Sequence, residues 1–147
     1  MSDSMEQEIA GRLSAVQQRI DDSAERAGRD PDQITLVAVT KTWPAEMLVA
    51  AYQAGIRDIG ENRAEELSRK RKELQGSFSA ADPLVWHQIG TLQSRKTKLV
   101  AQNADMFHAL DRLKVANRLA AQLVELGRNL PLLLEVNLSG EASKSGF

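Results

Sequence analysis

Lys41 is the residue whose type and position best suit covalent chemistry in this chain of 147 amino acids. It comes two residues after an apolar run at residues 34–39, within the sequence VAVTKT (residues 37–42). Such a run, rich in β-branched residues and without polar alternation, is typical of a strand buried on both faces. A lysine at the end of such a strand loses hydration, which favours the neutral amine, and a neutral amine can attack a carbonyl carbon to form a Schiff base. The alternative is a solvated lysine that opens a loop.

Three further polar residues lie in or after strand-like segments, and each also has a structural explanation. Asn62 can hydrogen-bond a ring substituent of a ligand, although its position alone favours a helix N-cap. His87 and His108 lie within strand-like segments, where a lone histidine is usually a satisfied core residue. The two histidines lack metal-ligand spacing such as HExxH, and the chain has no GxSxG motif. The sequence therefore favours neither a metal site nor a hydrolase triad.

Two basic clusters raise the question of nucleic-acid binding. The first is the run RKRK at residues 69–72, and Glu65 and Glu66 precede Arg69 and Lys70 by four residues. This spacing predicts two ion pairs across one helical turn, at a helix end that favours cations. We therefore interpret the run as a solvated helix end, and with a formal net charge of −1 the chain is predicted to bind no nucleic acid. The second cluster comprises Arg95, Lys96 and Lys98.

The composition is that of a soluble globular chain, with 42% hydrophobic and 27% charged residues. These fractions exclude disordered and collagen-like proteins, and the length suits one domain. The absence of cysteine suits a reducing compartment, so we expect a cytoplasmic protein. The polar N-terminus predicts no targeting peptide, and no apolar run approaches the roughly 20 residues of a membrane span.

The apolar periodicity predicts one leading helix followed by alternating strands and helices. The leading helix covers about residues 5–28, and the βα units cover about residues 34–147. The predicted strands lie at residues 34–39, 56–59, 84–89, 105–110 and 130–137, and the helices between them at residues 44–55, 61–74, 94–102 and 113–126.

This alternation predicts an α/β fold with a parallel sheet. Two architectures satisfy it: an open doubly wound sheet, or part of a (β/α)8 barrel. The chain lacks the phosphate-loop patterns GxGxxG and GxxxxGK[ST], which weakens the open-sheet alternative. In either architecture ligands bind at the carboxyl ends of the strands, where Lys41, Asn62 and Gly90 are expected.

Five ordered sequence blocks resemble the pyridoxal phosphate homeostasis protein family. The blocks are VAVTKT (37–42), GEN (60–62), WHQIGTLQS (86–94), FHALDR (107–112) and EVNLSGEASKSG (135–146). The resemblance extends over essentially the whole chain and implies a barrel like the N-terminal domain of alanine racemase, carrying pyridoxal 5′-phosphate (PLP). One departure is Arg95, which stands where the family has asparagine.

The resemblance also implies the site and its function. The family's cofactor lysine falls on Lys41, its cofactor-proximal asparagine on Asn62, and its Trp-His-x-Ile-Gly block on His87 and Gly90. Family members carry PLP and regulate the vitamin B6 pool and amino-acid balance, without robust catalysis. We therefore expect PLP as ligand, PLP-dependent apo-enzymes as partners, a monomeric protein, and no catalytic or metal-ligating residue.

The resemblance further implies that five of eight barrel strands are present. We expect residues 1–147 to form a single incomplete PLP-binding domain, truncated before the last three strands and the phosphate grip. An opened barrel exposes two strand edges and an apolar inner face, so these edges would allow self-association of a chain that the resemblance otherwise implies to be monomeric.

Two other functions remain open. One is a PLP-dependent racemase-like enzyme, which needs a second acid–base group; the single tyrosine, Tyr52, is predicted to lie within a helix. The other is a cofactor-free remnant or interaction module, in which the βα units persist without the phosphate-binding part.

Overall fold

The five predicted strands form one sheet, with helices between consecutive strands. A computed structural model describes residues 2–147 of the chain, with side chains from residue 4 onward. The helices are α1 (Ser2–Arg26), α2 (Ala45–Gln53), α3 (Ala64–Glu73), α4 (Thr97–Asn103) and α5 (Leu113–Leu126). The strands are β1 (Val37–Val39), β2 (Asp58–Glu61), β3 (Val85–Gln88), β4 (Met106–Leu110) and β5 (Leu132–Leu134). None of the helices described is both long and apolar enough to cross a lipid bilayer.

The strand order identifies the architecture as part of a (β/α)8 barrel. All neighbouring strands are parallel, and their spatial order is β1-β2-β3-β4-β5. A doubly wound sheet reverses its strand order at a switch point, whereas a barrel places each strand beside the next one in sequence. The prediction of a partial barrel is therefore confirmed, and the doubly wound alternative is wrong.

The core lies between the outer face of the sheet and the helices. Ile59, Trp86 and Phe107 point outward from the three central strands and are almost wholly buried. They pack against buried side chains of the helices and connecting loops, including Leu48, Leu67, Leu92, Val100, Val115 and Leu119. Because side chains alternate along a strand, the residues beside them, such as Gly60 and His87, face the inner side of the sheet.

The prediction of a first strand buried on both faces is wrong. Val39 is 50% exposed, and all three residues of β5 are exposed. These strands lie at the two ends of the sheet, and in the described part of the chain helices cover only one face of it. The expected exposure of apolar inner surface is therefore confirmed.

The second strand begins two residues later than predicted. The Arg57 guanidinium donates to the carbonyls of Tyr52 and Ile56 and pairs with Asp82 at 2.6 Å, which holds residues 56 and 57 in a connecting loop. The strand instead runs from Asp58 to Glu61, and the Glu61 side chain is buried beneath α3.

Candidate functional site

The structure brings the predicted site residues to the carboxyl edge of neighbouring strands. Val39 pairs with Gly60, and Gly60 pairs with His87, so the ends of β1, β2 and β3 lie side by side. Thr40 continues the ladder by donating its N–H to the Gly60 carbonyl at 3.0 Å. Lys41 follows and is exposed, so the expected desolvation of this lysine is wrong for the structure described.

The turn that carries Lys41 contains a strained residue. Thr42 has a φ of 69°, the left-handed conformation that a β-branched residue rarely adopts. Such a conformation costs roughly 1–3 kcal/mol and persists only where surrounding contacts impose it. Two contacts do so here: the Thr42 N–H donates to Glu66 Oε1 at 2.9 Å, and the Trp43 N–H donates to the Thr40 carbonyl at 3.2 Å.

Lys70 is the residue that sequence reasoning missed. Its side chain is completely buried, and its Nζ donates to the Thr40 carbonyl at 2.7 Å and to Glu61 Oε1 at 2.6 Å. It also pairs with Glu66 at 2.8 Å, while Glu61 accepts a further hydrogen bond from the Thr40 hydroxyl at 2.7 Å. We call Glu61, Glu66 and Lys70 the outer cluster, because it lies between β2 and α3 on the helix-covered face.

The interpretation of the basic run as a solvated helix end is therefore wrong for Lys70. Its predicted pair with Glu66 is present, but Glu65 pairs with Lys96, and Arg69 pairs with Glu73. A signal was available: Lys70 lies three residues after the buried Leu67. That spacing places it on the apolar face of α3, where a lysine needs buried acceptors.

The outer cluster sets the ionisation of Glu66. Partial burial by itself raises the pKa of this carboxyl. Hydrogen bonds from Lys70 and from the Thr42 N–H outweigh that effect and hold the pKa below its ordinary value of 4.5. Glu66 is therefore a carboxylate at neutral pH and remains an acceptor for the turn.

Asn62 and Gly90 join the ends of β2 and β3 through the backbone. The Asn62 carbonyl accepts a hydrogen bond from Gln88 Nε2 at 2.9 Å. A Cβ at Gly90 would collide with that carbonyl oxygen, so only glycine permits this approach. The N-cap interpretation of Asn62 is wrong, because Arg63 precedes the first residue of α3 and no side chain caps the helix.

His87 lies in a chain of hydrogen bonds on the inner face of the sheet. Its Nε2 is 2.8 Å from Asp58 Oδ1, and its Nδ1 is 2.8 Å from His108 Nε2. These contacts are satisfied when His87 donates to Asp58 and accepts from His108. We call these three residues the inner cluster. His87 is 4% exposed and both of its ring nitrogens have partners, but it lies on the inner side of the sheet and not in the core beneath the helices.

The inner cluster disfavours positive charge on His108. Burial, and to a smaller extent the nearby His87, lower the pKa of His108 below its ordinary value of 6.5. Over the described residues no group of three histidine, cysteine or acidic side chains is placed to hold a metal ion.

The residues present fit the aldehyde end of PLP. The site offers one exposed primary amine, Lys41, on a turn whose backbone is held from both sides. A carbonyl compound can reach this amine from the uncovered inner side of the sheet, where Val39 is half-exposed. Asn62 and Gly90 follow the next two strands at the same edge of the sheet.

Several proteins with a similar sequence are named for pyridoxal phosphate homeostasis. No protein-family model matches the chain. A pyridoxal phosphate homeostasis protein of Pseudomonas aeruginosa is 46% identical over 138 residues, which cover 94% of this chain and 58% of that protein. One of Escherichia coli K12 is 42% identical over 140 residues, with 95% and 59% covered. The chain thus spans somewhat less than three fifths of these relatives.

Solved structures share the fold. A protein of unknown function from Bifidobacterium adolescentis superimposes with a TM-score of 0.86 at 37% identity, covering 99% of this chain and 61% of the other. PipY of Synechococcus elongatus, solved with PLP bound, gives a TM-score of 0.73 at 37% identity, with 88% and 55% covered. Over most of its length the chain is therefore similar in sequence to pyridoxal phosphate homeostasis proteins and in fold to PipY.

Proposed function

We propose that the chain binds PLP in vitamin B6 homeostasis and amino-acid balance, and holds the cofactor as a Schiff base on Lys41. The observation that carries the proposal is an exposed amine on a strained, backbone-clamped turn at the carboxyl edge of a partial barrel. The solved relative PipY contains PLP, which supports the same ligand here. PLP supplies an aldehyde that an amine can attack and a ring that withdraws electrons.

The other predicted residues act around the amine. Gly90 lets the ends of β2 and β3 approach closely. Gln88 donates a hydrogen bond to the Asn62 carbonyl, which fixes the backbone at Asn62. Asp58 and His108 hold His87 through both of its ring nitrogens, so in this proposal its ring lines the inner face in a fixed orientation. In this proposal residues 1–147 act as one PLP-binding domain.

The proposed role is carriage of the cofactor rather than turnover. The protein acts in the cytoplasm as a monomer and passes PLP to apo-enzymes that depend on it. No described contact favours the racemase-like alternative. Tyr52 donates its hydroxyl to the Asp82 carbonyl at 2.8 Å, and Arg57 lies 4.1 Å above its ring. Arg57 directly precedes β2, so this tyrosine lies near the amino ends of the strands, opposite Lys41.

The test is absorbance spectroscopy after PLP is added to the purified chain. We expect a Schiff-base band near the visible edge, and borohydride reduction should fix the adduct on Lys41, as read by peptide mass spectrometry. Lys41→Ala should abolish the band. Lys98→Ala, which removes another exposed lysine, should keep it.

Three other results of this experiment would each contradict part of the proposal. A band that survives Lys41→Ala would exclude the assigned lysine. A folded chain that shows no band would favour the cofactor-free module. Racemisation of alanine by the purified, PLP-loaded chain would favour the enzyme.

A further inference from the structure

We propose that Lys70 and Glu66 are positioning residues for Lys41. The inference rests on the proposed function, because it assigns to the outer cluster the task of presenting the amine to PLP. Neither residue is expected to touch the cofactor: both lie beneath the turn, on the helix-covered face of the sheet.

Hydrogen bonds fix the residue that precedes Lys41. Thr40 is fixed at three atoms: its N–H by the Gly60 carbonyl, its hydroxyl by Glu61, and its carbonyl by Lys70 Nζ. Every partner is buried, so water does not compete for these hydrogen bonds. The peptide plane between residues 40 and 41 is therefore oriented by a charged donor.

A hydrogen bond also fixes the residue that follows Lys41. Glu66 accepts from the Thr42 N–H and also pairs with Lys70. One ammonium group thus binds the carbonyl before Lys41 directly and fixes, through Glu66, the amide after it. Thr42 remains at a φ of 69° under this hold, a conformation that it would leave if the acceptor were removed.

The arrangement separates a rigid backbone from a free side chain. Lys41 is exposed while the residues on both sides are hydrogen-bonded to the outer cluster. Fixing the backbone at Lys41 before PLP arrives lowers the entropy lost in forming the bond, although the side chain itself stays free. A buried ion pair that served only the core would not need to bind the backbone on both sides of one exposed lysine.

The experiment uses Glu66→Ala as its main variant. Glu66 is 17% exposed, so its removal threatens folding less than loss of the wholly buried Lys70. Glu66→Gln keeps an oxygen that can accept from the Thr42 N–H and serves as the rescue variant. The matched control is Glu65→Ala, which removes a neighbouring carboxylate that pairs with Lys96 instead.

Two readouts are compared. In Glu66→Ala we expect the Thr42 amide to exchange with deuterium about tenfold faster in NMR spectra, the effect of losing one hydrogen bond to a charged group. We expect PLP occupancy of Lys41, measured from the Schiff-base band at limiting PLP, to fall about tenfold. Glu66→Gln should return both values to within about twofold of the unaltered chain, and Glu65→Ala should leave both unchanged.

The outcomes distinguish this inference from the proposed function. If the unaltered chain gives the band and Glu66→Ala gives it equally well, the positioning role is overturned while PLP binding stands. Unchanged exchange of the Thr42 amide in Glu66→Ala also overturns it. If the unaltered chain gives no band, the proposed function fails, and the positioning role fails with it.

Discussion

The outer and inner clusters place polar side chains on opposite faces of the same strand. Glu61, near the end of β2, meets Lys70 beneath a helix, whereas Asp58, at its start, meets His87 on the uncovered face. The outer cluster contains a full positive charge, completely buried and surrounded by acceptors. The inner cluster is one carboxylate and two imidazoles joined by hydrogen bonds, and its His108 is only partly buried.

This difference indicates that the outer cluster fixes the geometry of the Lys41 turn and that the inner cluster responds to pH. A buried ammonium without its partners is strongly unfavourable, so the outer cluster has one stable arrangement. The inner cluster includes His108, whose pKa is lowered mainly by burial, so protonating this histidine costs stability in the folded state. We therefore expect large effects from the outer cluster that are constant at neutral pH and change only below pH 4.5. From the inner cluster we expect smaller effects that change below pH 6.5.

The largest expected effect is that of Lys70→Met. The variant keeps the apolar stem but leaves Glu61 buried without its counter-ion, which should lower the free energy of unfolding by about 3–5 kcal/mol at neutral pH. Urea denaturation followed by circular dichroism measures this. Lys72→Met, in an exposed residue of the same basic run, should change it by less than about 0.5 kcal/mol. Equal stability of the two variants would remove the distinction between the clusters.

The second effect tests the inner cluster. Asp58→Ala leaves the His87 Nε2–H without its acceptor and should lower the free energy of unfolding by about 1–3 kcal/mol. Asp82→Ala is the matched control, since Asp82 belongs to a more exposed pair with Arg57 and should contribute about 1 kcal/mol or less. A loss from Asp58→Ala as large as that from Lys70→Met would show that the clusters do not differ.

A third, smaller effect concerns the strain that the outer cluster maintains. Thr42→Gly relieves the left-handed conformation and should raise the free energy of unfolding by about 0.5–1 kcal/mol, after the greater unfolded-state freedom of glycine is deducted. Thr35→Gly, at an exposed threonine without positive φ, should lower it instead. Chemical denaturation of both variants gives the comparison, and a loss of stability in Thr42→Gly would contradict the assigned strain.

The smallest expected effect is the pH response of His108. Because its pKa is lowered in the folded state, its stabilising contribution is complete above the ordinary value of 6.5 and is lost as the pH falls below 6.5 towards the lowered value. Thermal unfolding between pH 7 and about 5 should show this slope, and His108→Gln should reduce it. Glu66 contributes separately, because its lowered pKa places its loss of stability below pH 4.5. A slope that His108→Gln leaves unchanged would assign the response to other groups.

The local elements could be predicted from the sequence because local chemistry sets them. The apolar stripe of α5 ends at Gly127, whose φ of 60° is the left-handed helix end that glycine favours. The polar residues after the strands were also expected at one edge, because parallel strands end together. The existence of the strands and their parallel direction followed from the same alternation, whereas their order was decided only by the structure.

The outer cluster could not be predicted in full, because its contacts join residues far apart in sequence. Lys70 reaches Thr40 across thirty positions. Its spacing from Leu67 indicates the apolar face of α3 but does not identify the acceptors that it meets there. The strain at Thr42 likewise depends on Glu66, which lies on another element. The prediction that β1 is buried on both faces was wrong, because an apolar run does not show whether one face of the strand or both are covered.

The sequential strand order has a consequence for how the chain folds. Each strand pairs with the strand that precedes it in sequence, so every new unit needs only a surface that has already been synthesised. Contacts between near neighbours carry a small loop-closure penalty and favour rapid folding. The turn bearing Lys41 needs only residues up to Lys70 for its clamp, so its hydrogen-bond partners leave the ribosome well before β3 and the strands that follow it.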